Sequence, residues 1–154
     1  MNDPDYLLIA VEQAKESVKQ GGFPAGAILV KNNQVIAKGV SIGNLLHDPT
    51  AHAESVTVRT ACQVLKTTDL IGATLYASLE PCLMCFNATC WANVSRIVYG
   101  CQKTVEMINK HYYEGTNDIY EANRKNTHQL ELIYLPNFEN EMHALIAEWE
   151  KQFA

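Results

Sequence analysis

The apolar positions of this chain follow two periods in turn. From Tyr6 to Val18 they fall at Leu7, Ala10, Val11, Ala14 and Val18, the spacing of one helical face. Gly21-Gly22 stops that helix. Ala25 to Val30 and Val35 to Ala37 are apolar runs joined by the polar stretch Lys31-Asn-Asn-Gln34, which predicts a hairpin. Asp48-Pro49 is a helix-start signal, with the acid as N-cap and the proline at the first helical position, for a helix reaching about Leu65. Ala73 to Ser78 reads as a strand. Glu80-Pro81 opens a helix through about Ala92, and Arg96 to Gly100 is a further strand. Gln102 to Thr127 is polar and predicts short helices and loops. Gln129 to Leu135 alternates into a last strand. Met142, Leu145, Ile146 and Trp149 then give a closing helix from Glu139 to Phe153.

Helices alternating with strands after an initial hairpin predict an α/β fold. A mixed sheet lies between helices on both faces, a three-layer α-β-α sandwich. The length of 154 residues suits a single domain over 1–154. With 47% hydrophobic and 19% charged residues, the chain is neither a disordered tail nor a disulfide miniprotein. The formal net charge is −5, so a phosphate backbone would be repelled and nucleic acid is disfavoured as a partner relative to a small molecule. The first residues carry acids and no Lys or Arg, unlike a signal peptide, and the apolar runs are far short of a membrane span. The five cysteines, an odd number with one C-x-x-C, then read as thiols or metal ligands in a cytoplasmic protein.

Two short segments carry chemistry: His52-Ala-Glu54 and Pro81-Cys-Leu-Met-Cys85. A catalytic zinc takes three N or S ligands from the protein and leaves a fourth position for water. His52, Cys82 and Cys85 supply three. Helix N-termini at both segments would favour thiolates and a bound hydroxide. Glu54 is then free to take a proton from water and give it to a departing amino group. Each piece alone has a plainer explanation. A single C-x-x-C can be half of a structural zinc site or a redox pair, and a single His-x-Glu is close to noise. Together they form the H-x-E…P-C-x-x-C signature of the zinc deaminases of nucleobases.

The stretches Asp48-Pro-Thr-Ala-His-Ala-Glu54 and Thr74-Leu-Tyr76…Glu80-Pro-Cys-x-Met-Cys85 resemble the cytidine deaminase-like superfamily, in the branch of bacterial guanine deaminases and tRNA adenosine deaminases. The resemblance covers about residues 6 to 101. It implies a central five-stranded sheet, one catalytic Zn2+ per chain held by His52, Cys82 and Cys85, Glu54 as the acid/base, and a homodimer or larger assembly. Similarity at three places leans toward guanine deaminase, hydrolysing guanine to xanthine and ammonia. Trp91 stands where an aromatic lines the base pocket of the guanine enzymes. The last helix holds Glu139, Glu141, Glu148 and Glu150 against Lys151 alone. Asp118 matches an Asp set against the guanine amino edge. Against this, Ser41 occupies the place of a purine-binding Asn, with Asn44 the nearest amide, and Ala25 stands where the guanine enzymes often have an aromatic. The alternatives are a tRNA-specific adenosine deaminase, or an enzyme for another amino-purine, an amino-triazine or cytosine.

The remaining candidates are mixed. Backbone donors near Ala53 and Cys82 could hold the oxygen of a tetrahedral carbon. Phe23 suits stacking on a base and core packing equally. Of Tyr112 and Tyr113, one is expected at the pocket, with Tyr113 the candidate. Cys62, Cys90 and Cys101 read as structural thiols, Trp149 as core or dimer contact, and His47 as surface. His111, His128 and His143 receive no role.

Overall fold

The structure, a computed structural model, describes residues 1–153. Helix α1 (Asp3–Lys19) begins earlier than the apolar period suggests. Asn2 caps it, accepting from the Asp5 amide while the Asp5 carboxylate accepts from the Asn2 amide, a reciprocal cap that satisfies two otherwise orphaned donors. Strands β1 (Phe23–Lys31) and β2 (Gln34–Ser41) form the expected hairpin, both longer than their apolar centres. Asn32 and Asn33 turn it at φ 52° and 59°, the left-handed pair that matches the twist of the flanking strands.

The next helix departs from expectation. The Asp48 side chain accepts from the Thr50 amide at 2.9 Å and from its hydroxyl at 2.7 Å, making a local turn instead of a helix cap. A short helix α2 (Gly43–Leu46) precedes that turn, and α3 (Ala53–Leu65) starts after it with His52 as its N-cap. Strand β3 (Thr74–Ala77) leads to α4 (Leu83–Trp91), where Cys82 takes the N-cap position in place of Glu80. Strand β4 (Arg96–Tyr99), the short helices α5 (Val105–Asn109) and α6 (Ile119–Lys125), β5 (Glu131–Tyr134) and α7 (Glu139–Glu150) complete the order, with a 3-10 turn over Lys151–Phe153.

The five strands form one sheet in the order β2-β1-β3-β4-β5. Strand β1 is antiparallel to β2 and β3, whereas β3, β4 and β5 are parallel. The period-two alternation divides the strand residues between two layers. Ile28, Tyr76 and Val98 are in register and pack with Tyr6, Leu7 and Ala10 of α1. Ala27, Leu29, Leu75, Ala77, Ile97 and Tyr99 face the other way, in the core shared with Ala53, Val58 and Ala61 of α3 and Phe86 of α4. Helix α7 packs against α1 and β1.

One close approach fixes α3. A Cβ on Gly39 of β2 would overlap the Ala53 carbonyl and the Thr57 hydroxyl. Only glycine lets the strand backbone come this near the first turn of the helix that carries Glu54.

Candidate metal centre and substrate cavity

The N-termini of α3 and α4 meet beyond the end of β3. His52 and Cys82 sit at equivalent places, each an N-cap with extended backbone (ψ 160° and 167°). Ser55 pins the first of these: its hydroxyl accepts from the His52 amide at 3.1 Å and donates to the Thr50 carbonyl. Cys85 lies one turn into α4, so its sulfur falls on the same side as that of Cys82. Nδ1 of His52 is 3.5 Å from each sulfur. All three donor atoms lie within 4.8 Å of one another.

This spacing fits zinc. Tetrahedral bonds of about 2.3 Å to sulfur and about 2.0 Å to nitrogen place N and S about 3.6 Å apart. The donor chemistry fits as well, since one imidazole and two thiols form the soft N/S set that selects such an ion over calcium or magnesium. Cys82 is held toward the thiolate by the Cys85 thiol, with His52 and the Cys85 amide adding to the effect. The same contact with Cys82 raises His52 above its usual value.

Glu54 lies in the first turn of α3 and is 5% exposed. It is not part of the donor cluster. Burial pushes its carboxyl up to about 7, and the neighbouring Cys82 charge adds to this, while the Cys85 thiol and His52 act the other way. A carboxyl buried beside, but outside, a metal tripod is costly to hold there. Its pKa near neutrality suits a group that both accepts and donates a proton.

These groups form the floor of a cavity of about 490 Å³. Ser41, Asn44, Asp48 and Glu80 contribute polar wall, and Phe23, Tyr112, Tyr113 and Trp149 contribute aromatic wall. Asn44 donates to the Gly21 carbonyl at 3.0 Å. The Tyr113 hydroxyl donates to the Glu80 carbonyl at 2.7 Å, which fixes the tyrosine against the loop before α4. A second cavity, of about 580 Å³, shares His52, Cys82, His111, Tyr112 and Tyr113 with the first and adds Lys103, Asn87 and Asn117.

Residues 1–101 match the sequence profile of the cytidine and deoxycytidylate deaminase zinc-binding region. The chain belongs to this deaminase family. It is 43% identical over 104 residues to a tRNA-specific adenosine deaminase of Buchnera aphidicola, covering 66% of this chain and 64% of that protein. It is 42% identical over 105 residues to a guanine deaminase of Bacillus subtilis, covering 68% of this chain and 67% of that one. The crystal structure of guanine deaminase from Bacillus subtilis superposes with a TM-score of 0.68 at 33% identity, over 98% of this chain and 95% of that one. Other relatives of comparable similarity are named tRNA-specific adenosine deaminases. The five-stranded mixed sheet between helices is thus the fold of known deaminases of this family.

Most of the expected site residues of this deaminase-family chain come together. Phe23, Ser41, Asn44, His52, Glu54, Cys82 and Tyr113 all line the first cavity. Cys85 and Ala53 are fully buried just behind it. Two do not join them. Trp91 is 87% exposed at the last position of α4, about 13 Å of helix rise beyond Cys82, and it lines neither cavity. Asp118 is exposed and caps α6 by accepting from the Tyr120 amide at 2.9 Å. In this chain Trp149 contributes aromatic wall to the first cavity, and Asp48 and the buried Glu80 are acids in its wall. Helical spacing identifies Trp149 as an inward-facing residue, but nothing local shows that α7 faces the cavity. Among the described residues, no helix is long and apolar enough to cross a membrane.

Proposed function

We propose that this chain is a zinc-dependent hydrolytic deaminase, one domain over residues 1–154, that acts on a free nucleobase, with guanine converted to xanthine and ammonia as the leading case. The observation that carries this reading is the buried, non-ligand Glu54 beside the His52, Cys82 and Cys85 tripod at the floor of an aromatic-walled cavity. Zinc held by those three residues would supply the charge that makes water a nucleophile near neutral pH.

Glu54 takes one proton from the attacking water as its oxygen bonds to the amino-bearing ring carbon. It gives that proton to a ring nitrogen, then takes the second proton from the hydroxyl now on that carbon and gives it to the amino group, which leaves as ammonia as the C–N bond breaks and the C=O bond forms. The Phe23, Tyr112 and Trp149 rings hold the flat heterocycle and exclude water. Backbone donors near Ala53 and Cys82 are assigned to hold the oxygen of the tetrahedral carbon. Ser41, Asn44 and Glu80 meet the polar edge of the base.

A free base is favoured because Trp149 of α7 lines the cavity, and because α7 holds Glu139, Glu141, Glu148 and Glu150 and no Lys or Arg. Such a face repels a phosphate backbone. The second reading is a tRNA adenosine deaminase. It is favoured by the names of the sequence relatives and by the adjoining cavity with Lys103 and His111. Ammonia release from guanine, adenine, cytosine, their nucleosides, amino-triazines and a tRNA anticodon stem-loop separates these readings. Guanine turning over fastest supports the first, and activity confined to the RNA rejects it. The proposal includes a homodimer, for which the exposed Trp91, Val64 and Ile71 offer apolar surface to cover. It also includes a cytoplasmic location, consistent with five free thiols.

A further inference from the structure

We propose that Cys101, Glu139 and His143 form a second divalent-metal site, which takes Zn2+ in addition to any ion held by His52, Cys82 and Cys85. The sulfur, a carboxylate oxygen and an imidazole nitrogen of these residues all lie within 4.8 Å of one another. Sγ of Cys101 is 3.8 Å from Nε2 of His143, close to the separation of about 3.6 Å that tetrahedral bonding to zinc requires.

The three donors come from two parts of the fold. Cys101 is fully buried just past the end of β4. Glu139 and His143 are four residues apart in the first turns of α7, so they rise from one face of that helix. Glu139 is already oriented. One of its oxygens accepts from the Gln102 amide at 2.8 Å and the other from the Tyr134 hydroxyl at 2.6 Å. This is the outer-shell support that carboxylate ligands have in built metal sites. Both donors are neutral, and among the described residues no Lys, Arg or His forms an ion pair with Glu139. The carboxylate charge is therefore left for a cation to balance. His143 is exposed, which gives an ion a route in and leaves a coordination position for solvent.

The sulfur, nitrogen and oxygen donors together suit zinc and its neighbours in the first transition row better than calcium or magnesium. On binding, the Cys101 S–H bond breaks, a metal–sulfur bond forms, and the proton passes to buffer. His143 binds as neutral imidazole and Glu139 as carboxylate. No electrons are transferred. The ion would tie the segment after β4, which continues toward Tyr113, to α7, which carries Trp149. Two walls of the substrate cavity would then share a cross-link.

The test is a chelator-buffered titration of the full-length chain with Zn2+, and in parallel with Co2+, from nanomolar to high micromolar free metal. The wild type is expected to bind two equivalents, the second releasing a proton, raising the thermal midpoint and adding a thiolate-to-cobalt charge-transfer band. His143→Ala, a change at an exposed position, is expected to bind one equivalent. Cys101→Ser is expected to lose the added thiolate band. His52→Ala is expected to lose the first equivalent and keep the second, so failure of one site is distinguishable from failure of the other. Saturation of the wild type at one equivalent overturns the proposal. So does a second equivalent that persists in His143→Ala without a thiolate band.

Discussion

The rings of Phe23 and Trp149 meet edge to face, with centroids 5.2 Å apart and planes at 81°. Tyr112 closes the triangle at 5.3 Å from Phe23 and 5.6 Å from Trp149. The first residue of β1 and the last turn of α7 thus form one aromatic wall of the cavity that His52 and Cys82 also line. Each such pair contributes about 0.5–1.5 kcal/mol beyond simple burial. Trp149→Ala is therefore expected to raise KM for the base by roughly 2- to 10-fold and to change kcat less. Steady-state kinetics check this. A fall in kcat at constant KM would place Trp149 outside the base-binding wall.

The tripod predicts a division between its members and their neighbour. His52→Ala and Cys85→Ser each remove one of three donors and are expected to purify with well under one zinc per chain. Glu54→Gln is expected to retain the metal of the wild type. Elemental analysis of the three variants decides it, and loss of metal in Glu54→Gln would make that residue a ligand.

Gly39 sets the distance between β2 and α3. A methyl group there overlaps the Ala53 carbonyl and the Thr57 hydroxyl, and overpacking of this kind typically costs about 1–3 kcal/mol. Gly39→Ala is expected to lower the unfolding free energy by that amount, read as a lower urea midpoint, and to weaken zinc binding, because the displaced helix carries His52 at its cap. An unchanged midpoint would show that the two elements separate freely.

Asp3 joins α1 to the sheet. Its carboxylate pairs with Arg96 at 2.8 Å and accepts from the Tyr76 hydroxyl at 2.6 Å. Hydrogen bonding to Arg96, chiefly, holds the Asp3 carboxyl below its ordinary value of 3.8 despite partial burial. A depressed carboxylate stabilises the fold above its unfolded pKa, and that contribution is lost as the pH falls through the lower, folded value. With both side chains about a third exposed, it amounts to less than about 1 kcal/mol. Asp3→Asn should therefore be less stable than wild type at neutral pH, with the gap closing in acid below the ordinary carboxylate range. A gap that persists in acid would assign the effect to packing.

The fold was legible where one period governs a whole segment. The alternation that places Ile28, Tyr76 and Val98 in one layer and Leu29, Leu75 and Ile97 in the other can be read strand by strand. The candidate ligand cluster of His52, Cys82 and Cys85 is carried by local spacing at two helix starts. Helix α3 starts later than the Asp48-Pro49 signal predicts because Asp48 has two ways to satisfy a nearby amide, and the Thr50 turn wins over the helix cap. The aromatic wall of the cavity in this chain has no local signal either. Trp91 lies near the ligands in sequence but at the wrong end of α4, whereas Trp149 is distant in sequence and reaches the cavity only through the packing of α7 on β1. The cluster of Cys101 with Glu139 and His143 likewise has no local signal, since its donors meet only across the assembled sheet and helix.

In the proposed reaction, Glu54 moves protons beside a His52, Cys82 and Cys85 metal tripod. The most direct measurement is ammonia release from guanine by the zinc-loaded protein and by Glu54→Gln at equal zinc content. Turnover by the wild type and a loss of at least about 100-fold in the variant are expected. Equal rates in the two proteins, or no ammonia from guanine or any other amino-bearing base, would contradict the proposed reaction.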